Sequence, residues 1–286
     1  MKKFWAKIQP IRTEFAAYLL ILAALSAAFA PSFLNAAEMI LQIQRIGSYN
    51  DDMTSLDQEK TQAIWDAAEV YNKKIYKEQQ KTVFFYSGDG ENDEDYQSQL
   101  QVGDNGIMCD IEIPSLDIHL PVGHGTNSKL LTNSAGHMYG TSLPVGGNNT
   151  NAVIAGHTGL SNAKIFTDLD KMKKGDVFYI HVLDEVHTYT VEDIEVVLPE
   201  DETPYLQVVP GENLCTLYTC TPYGVNDHRL IIRGVFTKSE KEGSDGENGV
   251  IQIENIMQLI KTILIGSIPI LYAIAGGIYL KKKYKK

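Results

Sequence analysis

Apolar positions run without a break at both ends of the chain and alternate with polar ones in between. Phe15 to Ala37 holds no charged residue, with its strongest apolar stretch at Phe15–Ala30, and Thr262 to Leu280 holds none either. A helix needs about 20 apolar residues to cross the hydrocarbon core of a membrane, so each run is read as a spanning segment. After Ser55-Leu56-Asp57-Gln58, which fits a capping box, Ile64, Ala67, Tyr71 and Ile75 recur at helical spacing and predict an amphipathic helix over roughly 56–80. Residues 87–95 are acidic and glycine-bearing, hence a loop. Beyond Gly106 the period changes to two. Ile107–Ile113, Val153–Ala155, Val177–Leu183, His187–Leu198, Leu214–Cys220 and Leu230–Phe236 are rich in Val, Ile, Thr and Tyr and bounded by turn residues. Short strands with such punctuation predict a closed or nearly closed barrel.

Charge sharpens this division. The 286 residues carry a formal net charge of −11, which argues against a nucleic-acid binder. Residues 38–254 hold 15 basic and 35 acidic side chains, while the two ends hold 10 basic residues and a single acid, Glu14. Lys2, Lys3, Lys7 and Arg12 precede the first apolar run, and Lys281, Lys282, Lys283, Lys285 and Lys286 follow the second. Lysine clusters favour the cytoplasmic side, so both termini are expected inside and the acidic body outside. The alternative for the first run is a cleaved secretory signal, with Ala28-Phe29-Ala30 resembling a cleavage site. Either reading exports the body.

Three cysteines are too few for a disulfide scaffold. Cys215 and Cys220 share one strand five residues apart, so alternation puts them on opposite faces. Cys109 and Cys215 read as small buried hydrophobes. Cys220 ends its strand and runs into Thr221-Pro222-Tyr223-Gly224, where a side chain can face a cleft. Arg229 opens the next apolar strand nine residues later, and a hairpin would set the two side by side. A guanidinium there favours the thiolate and can hold an oxyanion. His157, after a short apolar strand and between Gly156 and Gly159, is the best candidate imidazole. His228 adjoins Arg229 as a candidate neighbour, His119 reads as structural, His124 and His137 as polar supports, and His181 and His187 as having nothing chemical nearby. No group of residues has metal-ligand spacing, so no metal and no cofactor are expected.

The run Thr216-Leu217-Tyr218-Thr219-Cys220 followed by Thr221-Pro222-Tyr223-Gly224-Val225-Asn226-Asp227-His228-Arg229-Leu230 resembles the catalytic segment of sortases, Gram-positive surface cysteine transpeptidases, and class C, the pilus-polymerising group, in particular. Ile111-Glu112-Ile113-Pro114, Gly140–Gly147 and Lys164–Asp170 are similar to that class as well. The resemblance covers about residues 100–237 and implies a mainly β fold: the sortase eight-stranded β-barrel with an N-terminal helical extension and terminal transmembrane helices. The layout it suggests is a tail and anchor or signal over 1–37, a helical extension over 38–99, the barrel over 100–237, a polar tether over 238–255, a membrane helix over 256–280 and a basic tail over 281–286.

By the same resemblance Cys220 is the nucleophile, His157 the general acid and base, and Arg229 the oxyanion holder, with Thr219 and His228 in support. The implied reaction cleaves an LPxTG-like sorting signal between Thr and Gly and passes the acyl group to an amine, a pilin lysine or a peptidoglycan precursor. The implied partners are LPxTG-type surface or pilin proteins and the membrane. Wall anchoring and plain cysteine-protease hydrolysis stand as alternatives. Two departures from class C are visible. Residues 38–105 contain no proline, so the Asp-Pro-aromatic lid motif is absent, and Phe84, Phe85, Tyr86 and Asp89 are the candidates for a divergent lid. Thr158 follows His157 where class C commonly has Arg.

Overall fold

In the computed structural model, residues 2–81, 88–158, 165–241 and 260–284 are described. Eight strands close into a barrel: β1 (Ile107–Ile113), β2 (Ile118–His124), β3 (Ala135–His137), β4 (Thr150–Ala155), β5 (Val177–Val182), β6 (Glu185–Val197), β7 (Asn213–Thr221) and β8 (His228–Lys241), in the order β1-β2-β3-β4-β7-β8-β6-β5. The pairs β2–β3 and β4–β7 are parallel and the others antiparallel.

Alternation along each strand sorts side chains in or out. Cys109, Ile111, Ile113, Leu120, Val122, Ile154, Phe178, Ile180, Tyr189, Cys215, Leu217 and Ile232 are all buried in the main core cluster. Full burial of each aliphatic or aromatic chain is worth roughly 1.5–3 kcal/mol, which makes this interior the principal driving force of the fold. A second cluster of Met138, Val153, Ala155 and Leu206, with Tyr218 against it, covers the opposite face of β4 and β7. Its lid is the β6–β7 connection, which carries a short helix over Thr203–Leu206.

Six of the strands fall where period-two patterning predicts them. β2 and β3 do not. Pro121 and Gly123 break the β-forming pattern of β2, and β3 is only Ala-Gly-His. Both are held by neighbours on either side rather than by propensity. β8 runs on to Lys241, through the first residues read as a polar tether, because β6 is long enough to pair with all of them (Glu185 opposite Lys241).

Helices precede the barrel. α1 (Lys2–Ser55) extends the first apolar run well past Ala37. Its later turns place Gln42, Ile46 and Tyr49 on one buried face. Gln42 donates to the Asn133 carbonyl, Arg45 bonds Asn133 and Ser134, and Tyr49 donates to the Met108 carbonyl while accepting from the Leu183 N–H at 3.0 Å. α2 (Gln58–Gln79) lies where expected, but Asp57, not Ser55, caps it, accepting from the Lys60 N–H at 2.8 Å. The reason is local: the Ser55 hydroxyl turns back to the Asp52 carbonyl at the end of α1 and is not available. Gln79 then ties the end of α2 to the Gly140 carbonyl and the Val208 N–H.

The chain divides into two compact units, Met1–Met39 with Ile256–Lys286, and Ile40–Asn255. In the first, the helical stretch from Thr13 is long and apolar enough to cross a membrane, and the helices Ile260–Gly266 and Ile268–Lys283, bent by 40°, pass the same test together. Within that unit Tyr18 donates to the Ala273 carbonyl and stacks on Tyr272.

Candidate active site

Cys220 and Arg229 are direct cross-strand partners at the open end of the β7–β8 pair. Directly opposed residues project from the same face, so thiol and guanidinium share one side of the sheet. The link between the strands is a tight turn in which the Val225 and Asn226 N–H groups both bond the Pro222 carbonyl. Gly224 sits there at φ +80°, a conformation that suits glycine. Cys220 is half-buried, whereas Cys109 and Cys215 are fully enclosed. Burial pushes both of those thiols well above the ordinary range, so neither supplies a thiolate.

His157 reaches the same end of the sheet along β4. The β4–β7 register sets Ala155 opposite Tyr218, and the Gly156 N–H bonds the Tyr218 carbonyl. His157 follows two residues past the end of β4, beside the Tyr218–Thr219 stretch of β7. The peptides around it are fixed on both sides. Thr219 donates to the Gly156 carbonyl at 2.7 Å, its oxygen lies 2.7 Å from the Thr158 hydroxyl, and the His157 carbonyl accepts from the Phe166 N–H. Gly156 is required by close approach: a Cβ there would stand 2.7 Å from the Phe166 ring. Thr158, the departure from the class C pattern, is therefore a member of the brace between β4 and β7.

Arg229 is held by the fold. Its Nε–H donates to the Tyr218 hydroxyl at 2.8 Å, and Nη1 donates to the Asn226 and His228 carbonyls. Tyr218 in turn donates to Glu202 at 2.7 Å, and Glu202 lies 3.6 Å from Arg229 Nε. Burial works against the Arg229 charge, but Tyr218, Cys220 and Glu202 outweigh it and hold the guanidinium above its ordinary value. Burial, reinforced by Glu202, likewise keeps the Tyr218 phenol protonated. With Nε and Nη1 engaged, the two N–H groups of Nη2 carry no bond among the described residues and are available to an incoming oxygen.

Other candidates lie elsewhere. His228 pairs with Thr221 and bonds Asp227 at 2.8 Å, one position out of step with Cys220. Asp89 accepts from the Glu91 N–H, and its carbonyl packs against Gly125. Phe84, Phe85 and Tyr86 lie outside the described residues. The chain enters that segment at Lys81, which lines an open groove of about 710 Å³ with Glu200, Asp201 and Thr203, the residues flanking Glu202. His137 is indeed a buried support, bonded to Tyr96 and the Ser142 carbonyl. His181, read as isolated, is in contact with Glu112. Sequence reading passed over Tyr218 and Glu202. Tyr218 is two positions before Cys220 and so on its face, a signal the alternation contains; Glu202 sits in an acidic connection that gives no such signal.

The family model described as Sortase domain matches residues 111–237. The crystal structure of sortase C1 from Streptococcus agalactiae is 40% identical with a TM-score of 0.63, and the match covers 68% of this chain and 98% of that one. The chain belongs to the sortase family. Sortase C-1 from Actinomyces oris is 41% identical with a TM-score of 0.57, covering 62% of this sortase and 99% of its own chain. Both of these solved neighbours are sortase C enzymes by name. Sortase A of Streptococcus agalactiae is 33% identical over 136 residues, and the match spans 46% of this chain and only 54% of that relative.

Proposed function

We propose that this sortase is a membrane-anchored cysteine transpeptidase acting on an LPxTG-like sorting signal. The observation that carries the reading is the direct pairing of Cys220 with Arg229, with His157 following two residues past the end of the adjoining strand β4. The Cys220 sulfur attacks the carbonyl carbon of the Thr–Gly bond, and the new oxyanion is met by the Nη2 donors of Arg229. As the C–N bond breaks, His157 as imidazolium gives its proton to the leaving glycine amine, and a thioester remains on Cys220. An acceptor amine then attacks the thioester. The neutral imidazole takes the amine's proton, the sulfur leaves, and a new amide is formed.

Thr219 and Thr158 support His157 by bracing its peptide, and Tyr218 and Glu202 support Arg229 by fixing the plane of its fork. The acceptor is a pilin lysine. Two solved neighbours favour this choice, one described as sortase C1 of a pilus island of group B Streptococcus and one, from Streptococcus pneumoniae, in connection with pilin substrate specificity. The two apolar helical segments would hold the barrel at the outer membrane surface beside substrates anchored there, which raises effective concentration without new contacts. Phe84, Phe85, Tyr86 and Asp89 belong to a segment that would restrict water's access to the thioester.

The test is product analysis. The full-length protein in detergent is incubated with a sorting-signal peptide, with and without a pilin bearing the acceptor lysine. The reading predicts an isopeptide-linked product in preference to the free acid. Exclusive hydrolysis in both arms would make it a protease, and transfer to a peptidoglycan precursor but not to lysine would make it a wall-anchoring enzyme.

A further inference from the structure

Away from Cys220, on the outer face of the barrel, three neighbouring strands converge on a small set of side chains. Asp110 and Glu112 come from β1, His119 from β2 and His181 from β5. The register pairs Asp110 with His181 and Glu112 with His119, so all four project from one face. Asp110 and Glu112 are only 2% and 6% exposed, and His181 is buried as well. His119 Nε2 lies 2.6 Å from the Asp110 carboxylate and His181 Nε2 lies 3.3 Å from that of Glu112. Ligand atoms of Asp110, His119 and His181 all fall within 4.8 Å of one another.

Two buried carboxylates need two positive charges, because an uncompensated buried charge is costly. A divalent cation supplies both at one point. Two imidazoles and a carboxylate are a donor set suited to zinc, with a second carboxylate to complete neutrality. A tetrahedral zinc holds neighbouring ligand atoms about 3.3 Å apart, so the Asp110–His119 hydrogen bond would open by well under an ångström.

We infer that Asp110, His119 and His181, neutralised with Glu112, form a zinc site that clips β1, β2 and β5 together. Its role is structural: β1 lies four strands from β7 in either direction round the barrel. Spacing along the chain hides the site, since its members are distributed over three strands.

The experiment uses untagged full-length protein in detergent carrying Cys220→Ala, which removes the accessible thiol. Zinc is titrated calorimetrically, and cobalt is titrated as its spectroscopic stand-in. The expected results are one saturable site, the intense visible bands of tetrahedral cobalt without thiolate charge transfer, and a melting temperature that rises with zinc. His119→Gln and His181→Gln should each weaken binding at least tenfold. Absence of one-to-one binding, or binding undiminished in both variants, would overturn the inference. Should the glutamine variants lose their cooperative melt, the parent's cobalt spectrum decides: weak octahedral absorption overturns the site and tetrahedral bands uphold it.

Discussion

Arg229 donates through Nε and Nη1 to groups of its own fold, so its remaining donors are aimed before any substrate arrives. A lysine cannot reproduce this, because a point ammonium has neither the plane nor the fork. Arg229→Lys is expected to cut kcat/KM for a sorting-signal peptide by about 10²–10³, the usual cost of losing an oxyanion donor. Near-normal turnover would remove Arg229 from that role. A second residue-scale expectation concerns pH. Burial pushes the His137 imidazole down to about 4, from an ordinary value of 6.5. Between those values the unfolded chain takes up a proton that the folded chain refuses, so this stability is full above pH 6.5 and lost as pH falls to about 4. The contribution is roughly 3 kcal/mol at most. His124 and His187 are lowered by burial too and act in the same direction. Melting temperature should therefore fall between pH 7 and pH 4, and His137→Gln, less stable at neutral pH, should show a shallower fall. Identical slopes would exclude His137 as a source. At this scale the pairing of Cys220 with Arg229 was legible because they flank one short turn, and His157 was singled out as a candidate because glycines and a short strand frame it. Tyr218 was readable from alternation with Cys220, whereas Glu202 and the carboxylate–imidazole cluster depend on which elements become neighbours, which local pattern does not specify.

At the scale of elements, α1 is fastened to the barrel at one informative point. Tyr49 accepts from the Leu183 N–H and donates to the Met108 carbonyl, and Leu183 adopts φ +53° in the turn between β5 and β6. A left-handed leucine is costly unless its surroundings hold it. Tyr49→Phe would leave the Leu183 N–H buried without its acceptor, so a loss of about 1–3 kcal/mol is expected in denaturant unfolding. An unchanged midpoint would mean that this contact does not secure the turn. The elements legible in the sequence were those with a clean period: α2 and the six strands with alternating β-formers. β2 and β3 escaped because proline, glycine and brevity erase periodicity, and they exist through pairing with β1 and β4. The end of α1 escaped because its later turns mix polar residues with a narrow apolar face of Ile46 and Tyr49. The cap of α2 shifted by two residues because Ser55 bonds backward.

Over the whole molecule, an acidic body of 38–254 stands between basic, apolar ends. That contrast, visible in composition, corresponds to two compact units, one of long apolar helices and one built on the barrel. A barrel whose β7 and β8 present a thiol opposite a guanidinium, while the other two thiols are sealed in its core, has one sulfur suited to acyl transfer. The most direct measurement is the intact mass of the full-length protein mixed with a sorting-signal peptide and quenched in acid, followed by fragmentation to locate the adduct. The account predicts a single acyl group in thioester linkage at Cys220, absent from Cys220→Ala and retained in Cys109→Ala and Cys215→Ala. A folded protein that forms no adduct, or one whose acyl group maps to Cys109 or Cys215, would contradict it.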